Sequence, residues 1–250
     1  MKRVLHLLFT FICAANLLTS CTGKEGEPGP SLKGNIVGFV NPIDDNGAVS
    51  SDKAGITVTL ENTSPKMTAT TNADGKFEFQ NVSTGTYNVL YTRTGYGTMR
   101  RFGLAHVGGT EPTFLGTQGL SQISKTVVNN LNYNTSASYY YDLNFSYTIS
   151  NTSVSTGNYY RMAIYVGTSP SVSSETGTLL TTYSVSNTSG NIGFSRNTFT
   201  NLGYTTGTKL YVIAYGAPYS LYSYTDVATG RPVYVGLNAS PSPVSGFTLQ

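Results

Sequence analysis

Apolar residues in this chain recur at a period of two. From Tyr139 to Ile149, the residues Tyr141, Leu143, Phe145, Tyr147 and Ile149 alternate with Asp142, Asn144, Ser146 and Thr148. Successive side chains of an extended strand point to opposite faces, so this run gives one apolar face and one polar face. A helix would distribute the same residues around its whole circumference. The pattern repeats more briefly elsewhere. Ile36, Gly38 and Val40 alternate with Asn35, Val37 and Phe39, and Ile56-Thr57-Val58-Thr59-Leu60 alternates cleanly. Met162, Ile164 and Val166 form another set, as do Leu210, Val212 and Ala214, with Leu179–Val185 and Ile192–Thr200 expected as strands between them. Turn clusters at Asp44–Gly47, Asn72–Gly75 and around Gly85 separate these runs. Turn signals every ~8–12 residues are the mark of a β-sandwich. Charged residues make up only 11% of the chain, and Ser, Thr, Asn, Gly and Tyr carry the polar positions, a poor composition for helices. The expected fold is all-β, with two β-sandwich domains in tandem.

The chain begins Met1-Lys2-Arg3, continues through an apolar run from Val4 to Leu18, and reaches Leu18-Thr19-Ser20-Cys21. A basic start, a short apolar stretch and a small residue before a cut describe an export signal. A permanent membrane span needs about 20 apolar residues, more than this run offers. Residues 18–21 resemble the lipobox of bacterial lipoproteins, which implies cleavage after residue 20 and diacylation of Cys21. Each acyl CH₂ buried in a bilayer contributes about 0.8 kcal/mol, so two or three chains anchor stably. The expected organisation is a signal peptide over 1–20 and a lipidated cysteine with a flexible tether over 21–32. The segment TGKEGEPGPS supplies that tether, holding Gly, Pro and charge and nothing to bury. The two domains then cover 33–118 and 119–250.

Cleavage leaves Cys21 as the only cysteine, so no disulfide within one mature chain is expected and stability must come from apolar cores. Lys and Arg number 15 against 12 Asp and Glu, or 13 against 12 once Lys2 and Arg3 are removed. That balance, with basic residues scattered, gives no reason to expect a nucleic-acid partner.

The stretches GNIVGFV and GITVTLEN, followed by TATTNADGKFEFQNVSTGTYNVLYTRTGY, resemble the carboxypeptidase regulatory-like domain, a transthyretin-like β-sandwich. The most specific part is TTNADGKFEF at Thr70–Phe79 with Gly85-Thr86-Tyr87. The resemblance covers about residues 33–118 and implies a non-catalytic module of a kind attached to proteins of many functions. In the second domain, NLGYTTGTKLYVIAY resembles the E–F corner of fibronectin type III domains at Leu202, Gly207, Tyr211 and Ile213, which implies an immunoglobulin- or fibronectin-like sandwich. Lipobox, domain type and a Tyr-, Thr- and Asn-rich style together resemble surface lipoproteins of Bacteroidetes-type bacteria.

Residues able to run a reaction are few. After cleavage His106 is the only histidine, and a zinc site needs three or four His, Cys or carboxylate ligands. His106 reads as a packed histidine. A serine nucleophile would need a base beside it, and Gly193-Phe194-Ser195 lacks the final glycine of a nucleophile elbow. Asp142, Glu175 and Asp226 are the only carboxylates of the second domain, and they read as solvated rather than as a glycosidase pair. The Asp44–Gly47 and Asn72–Gly75 clusters read as turns rather than calcium loops. No cofactor, metal site or catalytic residue is expected, and the chain is read as not an enzyme.

Tyrosine is the residue in excess, 19 of 250. Tyrosine pairs an apolar ring with a hydroxyl and loses little entropy on binding. Tyr219, Tyr222 and Tyr224 fall in APYSLYSYTD, expected as a loop between late strands, and are the candidate ligand contacts. The sequence is read as a membrane-anchored, non-catalytic lipoprotein with a structural, adhesion or recognition role. The alternative reading is a carbohydrate-binding accessory protein of an outer-membrane glycan-uptake system. The expected partners are the membrane, through the lipid, and a cell-surface protein or glycan. The expected location is the bacterial outer membrane, in either leaflet.

Overall fold

The computed structural model describes residues 32–134, 142–150 and 159–250. The leader, Cys21 and Tyr139–Tyr141 lie outside these residues. Over the described residues the protein is all-β, with tandem sandwiches.

In the first sandwich, β1 (Lys33–Ile43) is the middle strand of a three-stranded sheet, antiparallel to β4 (Lys76–Ser83) and parallel to β7 (Thr113–Ser121). Facing it is a four-stranded sheet ordered β3 (Met67–Thr70), β2 (Thr57–Leu60), β5 (Gly85–Thr92), β6 (Met99–His106). The inward positions of each alternating run meet in one core: Ile36, Val40, Val58, Leu60, Phe79 and Val89. Phe77 sits edge-on to Phe79 at 5.9 Å and to Tyr91 at 6.0 Å. Gly38 makes room for that ring, because a Cβ there would stand 2.7 Å from Phe77 Cζ.

The expected turns form by side chains replacing backbone partners. Asn72 Oδ1 accepts from the N–H groups of Asp74 (3.0 Å) and Lys76 (2.9 Å), and Asp44 Oδ1 accepts from those of Asn46 (3.0 Å) and Ala48 (2.8 Å). The chain around Gly85 is different: β4 and β5 belong to opposite sheets, so this turn is a corner between layers and not a hairpin. Strand β7 continues to Ser121 and buries Leu120 completely in the first core, so it runs through the 118/119 boundary expected from sequence.

The second sandwich packs a sheet ordered β12 (Ser189–Phe194), β9 (Leu143–Ser150), β8 (Val127–Asn134) against a sheet ordered β11 (Thr178–Val185), β10 (Tyr160–Gly167), β13 (Lys209–Gly216), β16 (Ser245–Thr248). Leu143, Phe145, Tyr147 and Ile149 point inward as their alternation requires, and meet Met162, Ile164, Val166, Leu210, Val212 and Ala214.

Two sequence expectations change here. The segment 192–200 is not one strand. β12 ends at Phe194, and α1 (Arg196–Thr200) follows. Phe194 and Phe199 are an odd number of residues apart and would face opposite ways in a strand. The helical turn brings both rings inward, 6.0 Å apart, with Phe199 also 5.4 Å from Phe247. The fibronectin-like corner also differs. Leu210, Val212 and Ala214 hold the core-facing parity, so Tyr211 and Ile213 face the opposite side of the sheet, and Leu202 is 40% exposed.

That opposite side is itself covered. Ala163, Tyr165, Val172, Ile213, Tyr215 and Ala217 form a further apolar cluster, which is why Met162 to Val166 are buried without interruption. Its cover comes partly from residues 217–237, which leave β13, form a ribbon of β14 (Ser223–Thr225) and β15 (Pro232–Tyr234), and reach across to the first sandwich. Val235 is buried in the first core, and Tyr224 packs against it. Gly97 permits this approach, since a Cβ there would stand 2.4 Å from the Gly236 nitrogen. Hydrogen bonds across the junction run from Ser124 N to Gly236 O (2.8 Å), Tyr219 N to Asp45 O (2.9 Å), Lys125 N to Asp45 Oδ2 (2.9 Å) and Asn238 Nδ2 to Ser124 O (2.7 Å).

Candidate binding groove at the junction

The crossing ribbon encloses space as well as closing the junction. A cavity of about 540 Å³ opens between Gly97, Thr98 and Ile123 on one side, the Ser174–Glu175 loop on another, and the ribbon residues from Tyr224 to Leu237. A smaller chamber of about 310 Å³ adjoins it, reaching inward to Tyr165, Gly177 and Leu179. Ser174, Arg231, Pro232 and Tyr234 line both spaces, so the ribbon forms the step between them. Mixed apolar and polar walls in a cleft where several elements meet are the usual form of a ligand site.

Each polar wall residue has a local cause for its position. Arg231 follows the ribbon's tight turn and donates to the carbonyl oxygens of Thr176 (3.2 Å) and Gly177, pinning the ribbon to the 168–177 loop. Asp226 closes the turn: its Oδ1 accepts from the N–H groups of Ala228 (3.1 Å) and Thr229 (2.9 Å) and from the Thr229 hydroxyl (2.9 Å). Those bonds, chiefly the one from the Thr229 backbone, hold its carboxyl below the usual range. Glu175 is exposed on the loop rim, and no described residue pairs with its carboxylate. At the inner end Tyr165 is 1% exposed, and its hydroxyl has no hydrogen-bond partner among the described residues. Burial, with Tyr234 and Tyr215 close by, pushes that hydroxyl well above the usual tyrosine range.

The three tyrosines singled out in the sequence do share one segment, but their rings face the first sandwich. Tyr219, 58% exposed, lies under the Arg161 guanidinium at 5.8 Å and over Gly47, where a Cβ would come within 2.6 Å of its ring. Tyr222 covers Gly119, where a Cβ would come within 2.5 Å of its ring. Tyr224 packs on Phe102 with ring centroids 6.0 Å apart, and it alone of the three lines the groove. In the sequence Glu175 and Asp226 read only as solvated carboxylates, and nothing there singles out Tyr234 or Arg231. The Pro232-Val233-Tyr234-Val235 alternation was the available signal for the ribbon.

His106, Ser195 and Asp142, weighed for catalysis in the sequence, are employed structurally. His106 is buried, with Nε2 3.1 Å from Val82 O and Nδ1 2.7 Å from Thr113 Oγ1. A carbonyl only accepts, so Nε2 donates to Val82, and Nδ1 shares a hydrogen bond with the threonine hydroxyl. Ser195 Oγ lies 3.3 Å from Thr198 Oγ1, and Asp142 Oδ2 accepts from the Arg196 N–H at 2.7 Å, fixing the start of α1. The structure does not bring His106, Ser195 and Asp142 together, whereas Glu175 and Asp226, weighed with Asp142 as carboxylates, both line the groove. Among the described residues no cluster of three His, Cys, Asp or Glu could hold a metal ion.

The carboxypeptidase regulatory-like domain profile matches residues 36–113, the first sandwich up to the start of β7. No curated protein matches the sequence. Among solved structures, a chain of a type II cohesin–X-dockerin complex from Acetivibrio cellulolyticus is 26% identical over 36% of this chain, with a TM-score of 0.30. This chain spans 58% of that chain's length. A proposed carbohydrate-binding protein from Bacteroides uniformis is 12% identical, covering 87% of this chain and 100% of its own, with a TM-score of 0.33. A DUF3823 family protein from Parabacteroides merdae is 14% identical, covering 88% of this chain and 100% of its own, with a TM-score of 0.29.

Proposed function

We propose that this protein is a lipid-anchored, non-catalytic recognition module of the bacterial outer membrane, attached through Cys21 and binding its ligand in the junctional groove. One observation carries the reading: the groove lies at the far end of the first sandwich from the tether. Leu32 ends the tether, and its carbonyl is held by the Thr84 N–H (2.8 Å) and hydroxyl (3.0 Å). The 11 residues of β1 lead from there to Ile43, beside the junction. At roughly 3.3 Å per residue the strand spans about 33 Å. The first sandwich is then a stalk, and the groove stands clear of the lipid surface. Among the described residues that line the groove the hydroxyl bonded to a carboxylate is that of Thr229, and it and Asp226 are committed to the ribbon's own turn, which favours holding a ligand over transforming it.

Two treatments of expressing cells test the anchor. Labelling with an alkynyl palmitate analogue is expected to mark the native protein and to fail with Cys21→Ala, while protease shaving of intact cells reports the leaflet. Label surviving Cys21→Ala, or native protein recovered free of membranes, overturns the reading. The second reading, a carbohydrate-binding accessory protein of glycan uptake, is favoured by the groove itself, where Tyr224 and Tyr234 stand beside the hydrogen-bonding groups of Glu175, Asp226 and Arg231.

A further inference from the structure

The groove's charges restrict what enters it, and the following rests on the reading of the groove as a recognition site. Arg231 lines both chambers, and no described carboxylate lies within ion-pairing distance of it. Its positive charge at the step disfavours a cationic ligand. Glu175 and Asp226 line the outer chamber, also without an ion pair among the described residues. Their negative charge at the mouth disfavours an anionic ligand. Charges of both signs along one groove disfavour a ligand of strong net charge of a single sign, and the open carboxylates favour one that donates hydrogen bonds. The Glu175 carboxylate is open, and Asp226 commits one oxygen to its own turn, leaving Oδ2 unassigned. Carboxylates only accept, and they serve paired hydroxyl donors well. Tyr224 and Tyr234 add rings to the wall, and Tyr165 borders the inner chamber.

We propose that the groove binds a neutral oligosaccharide end-on, its chain along the outer chamber against Tyr224 and Glu175 and its terminal residue past Arg231 into the inner chamber. Side-on binding would leave the inner chamber unused. A terminal residue fills the inner chamber and leaves the rest of the chain at the acidic mouth.

The test is an array carrying neutral oligosaccharides, uronate-containing oligosaccharides and peptides, probed with the detergent-solubilised full chain. Two variants alter the groove from opposite walls at sites with little structural duty: Glu175→Lys on the exposed loop and Thr98→Trp on the first sandwich. The natural sequence has no tryptophan, so Thr98→Trp also reports folding and occupancy by its fluorescence. The expected result is binding to neutral glycans, weakened at least tenfold by either variant and abolished when the terminal sugar is capped with a bulky group. Binding of peptides or acidic glycans that the same variants weaken would overturn the ligand class and leave the groove standing as a recognition site. Binding that neither variant changes, or no binding from folded protein, would overturn both. Binding indifferent to the terminal cap would overturn the end-on mode.

Discussion

Tyr224 sets its ring against Phe102, centroids 6.0 Å apart and planes tilted by 57°, and so ties a ribbon of the second sandwich to the outermost strand of the first. Eleven residues later Val235 enters the first core at 3% exposure. The first sandwich is therefore completed by a segment more than 100 residues downstream of its last strand.

Truncating Val235 is expected to act on the sandwich it does not belong to in sequence. Val235→Ala removes buried methyl groups and leaves a cavity, costing about 2 kcal/mol. Differential scanning calorimetry should show one cooperative transition for the native chain and two separated transitions for the variant. An unchanged single transition would show that the crossing ribbon does not couple the halves.

His106→Ala should destabilise the protein by about 3 kcal/mol in urea unfolding, since it removes the buried hydrogen bonds to Val82 and Thr113 and opens a cavity. Ligand binding, measured on the folded variant, should stay at the native level, because both ring nitrogens are already committed to Val82 and Thr113.

The junction carries a titrating group. Burial is the largest influence on Asp45 and raises its carboxyl above the ordinary 3.8, against opposing bonds from Lys125 and Ser124. An acid raised in the folded state holds its proton more tightly there than in the unfolded chain. Its stabilising contribution is full below 3.8 and is lost as pH rises through the folded value. Asp45→Asn keeps an acceptor for the Lys125 N–H and never ionises. Its melting temperature should rise relative to native protein as pH increases from about 3.8, then hold a constant advantage to pH 7. A variant less stable than native at pH 7 would contradict this assignment.

The strands were legible because their cause is local. Leu143, Phe145, Tyr147 and Ile149 alternate in sequence and all face the core. The turns at Asp44 and Asn72 were legible for the same reason, each side chain bonding backbone a few residues away. What could not be read depends on distant chain. Met162, Ile164 and Val166 read as one alternating face, but Ala163 and Tyr165 make the run apolar throughout, and the cover supplied partly by residues 217–237 buries the second face. The tyrosines at 219, 222 and 224 stand apart in the sequence as one loop segment, whereas Tyr224 lies in β14. Nothing near them in sequence says that Gly47, Gly119 and Phe102 lie beneath their rings. The groove was invisible for that reason, being built from residues 97–98, 123, 174–175 and 224–237, which only the tertiary fold brings together.

The claim under most of this account is that the two sandwiches move as one body. A distance measurement between spin labels tests it directly, with Cys13 and Cys21 replaced so that only introduced thiols are labelled. Labels on Glu111→Cys and Ser186→Cys, both exposed and on opposite sandwiches, should give a single narrow distance distribution in pulsed electron–electron resonance. A broad distribution, unchanged by Val235→Ala, would mean that the halves are hinged and that the groove between them has no fixed shape.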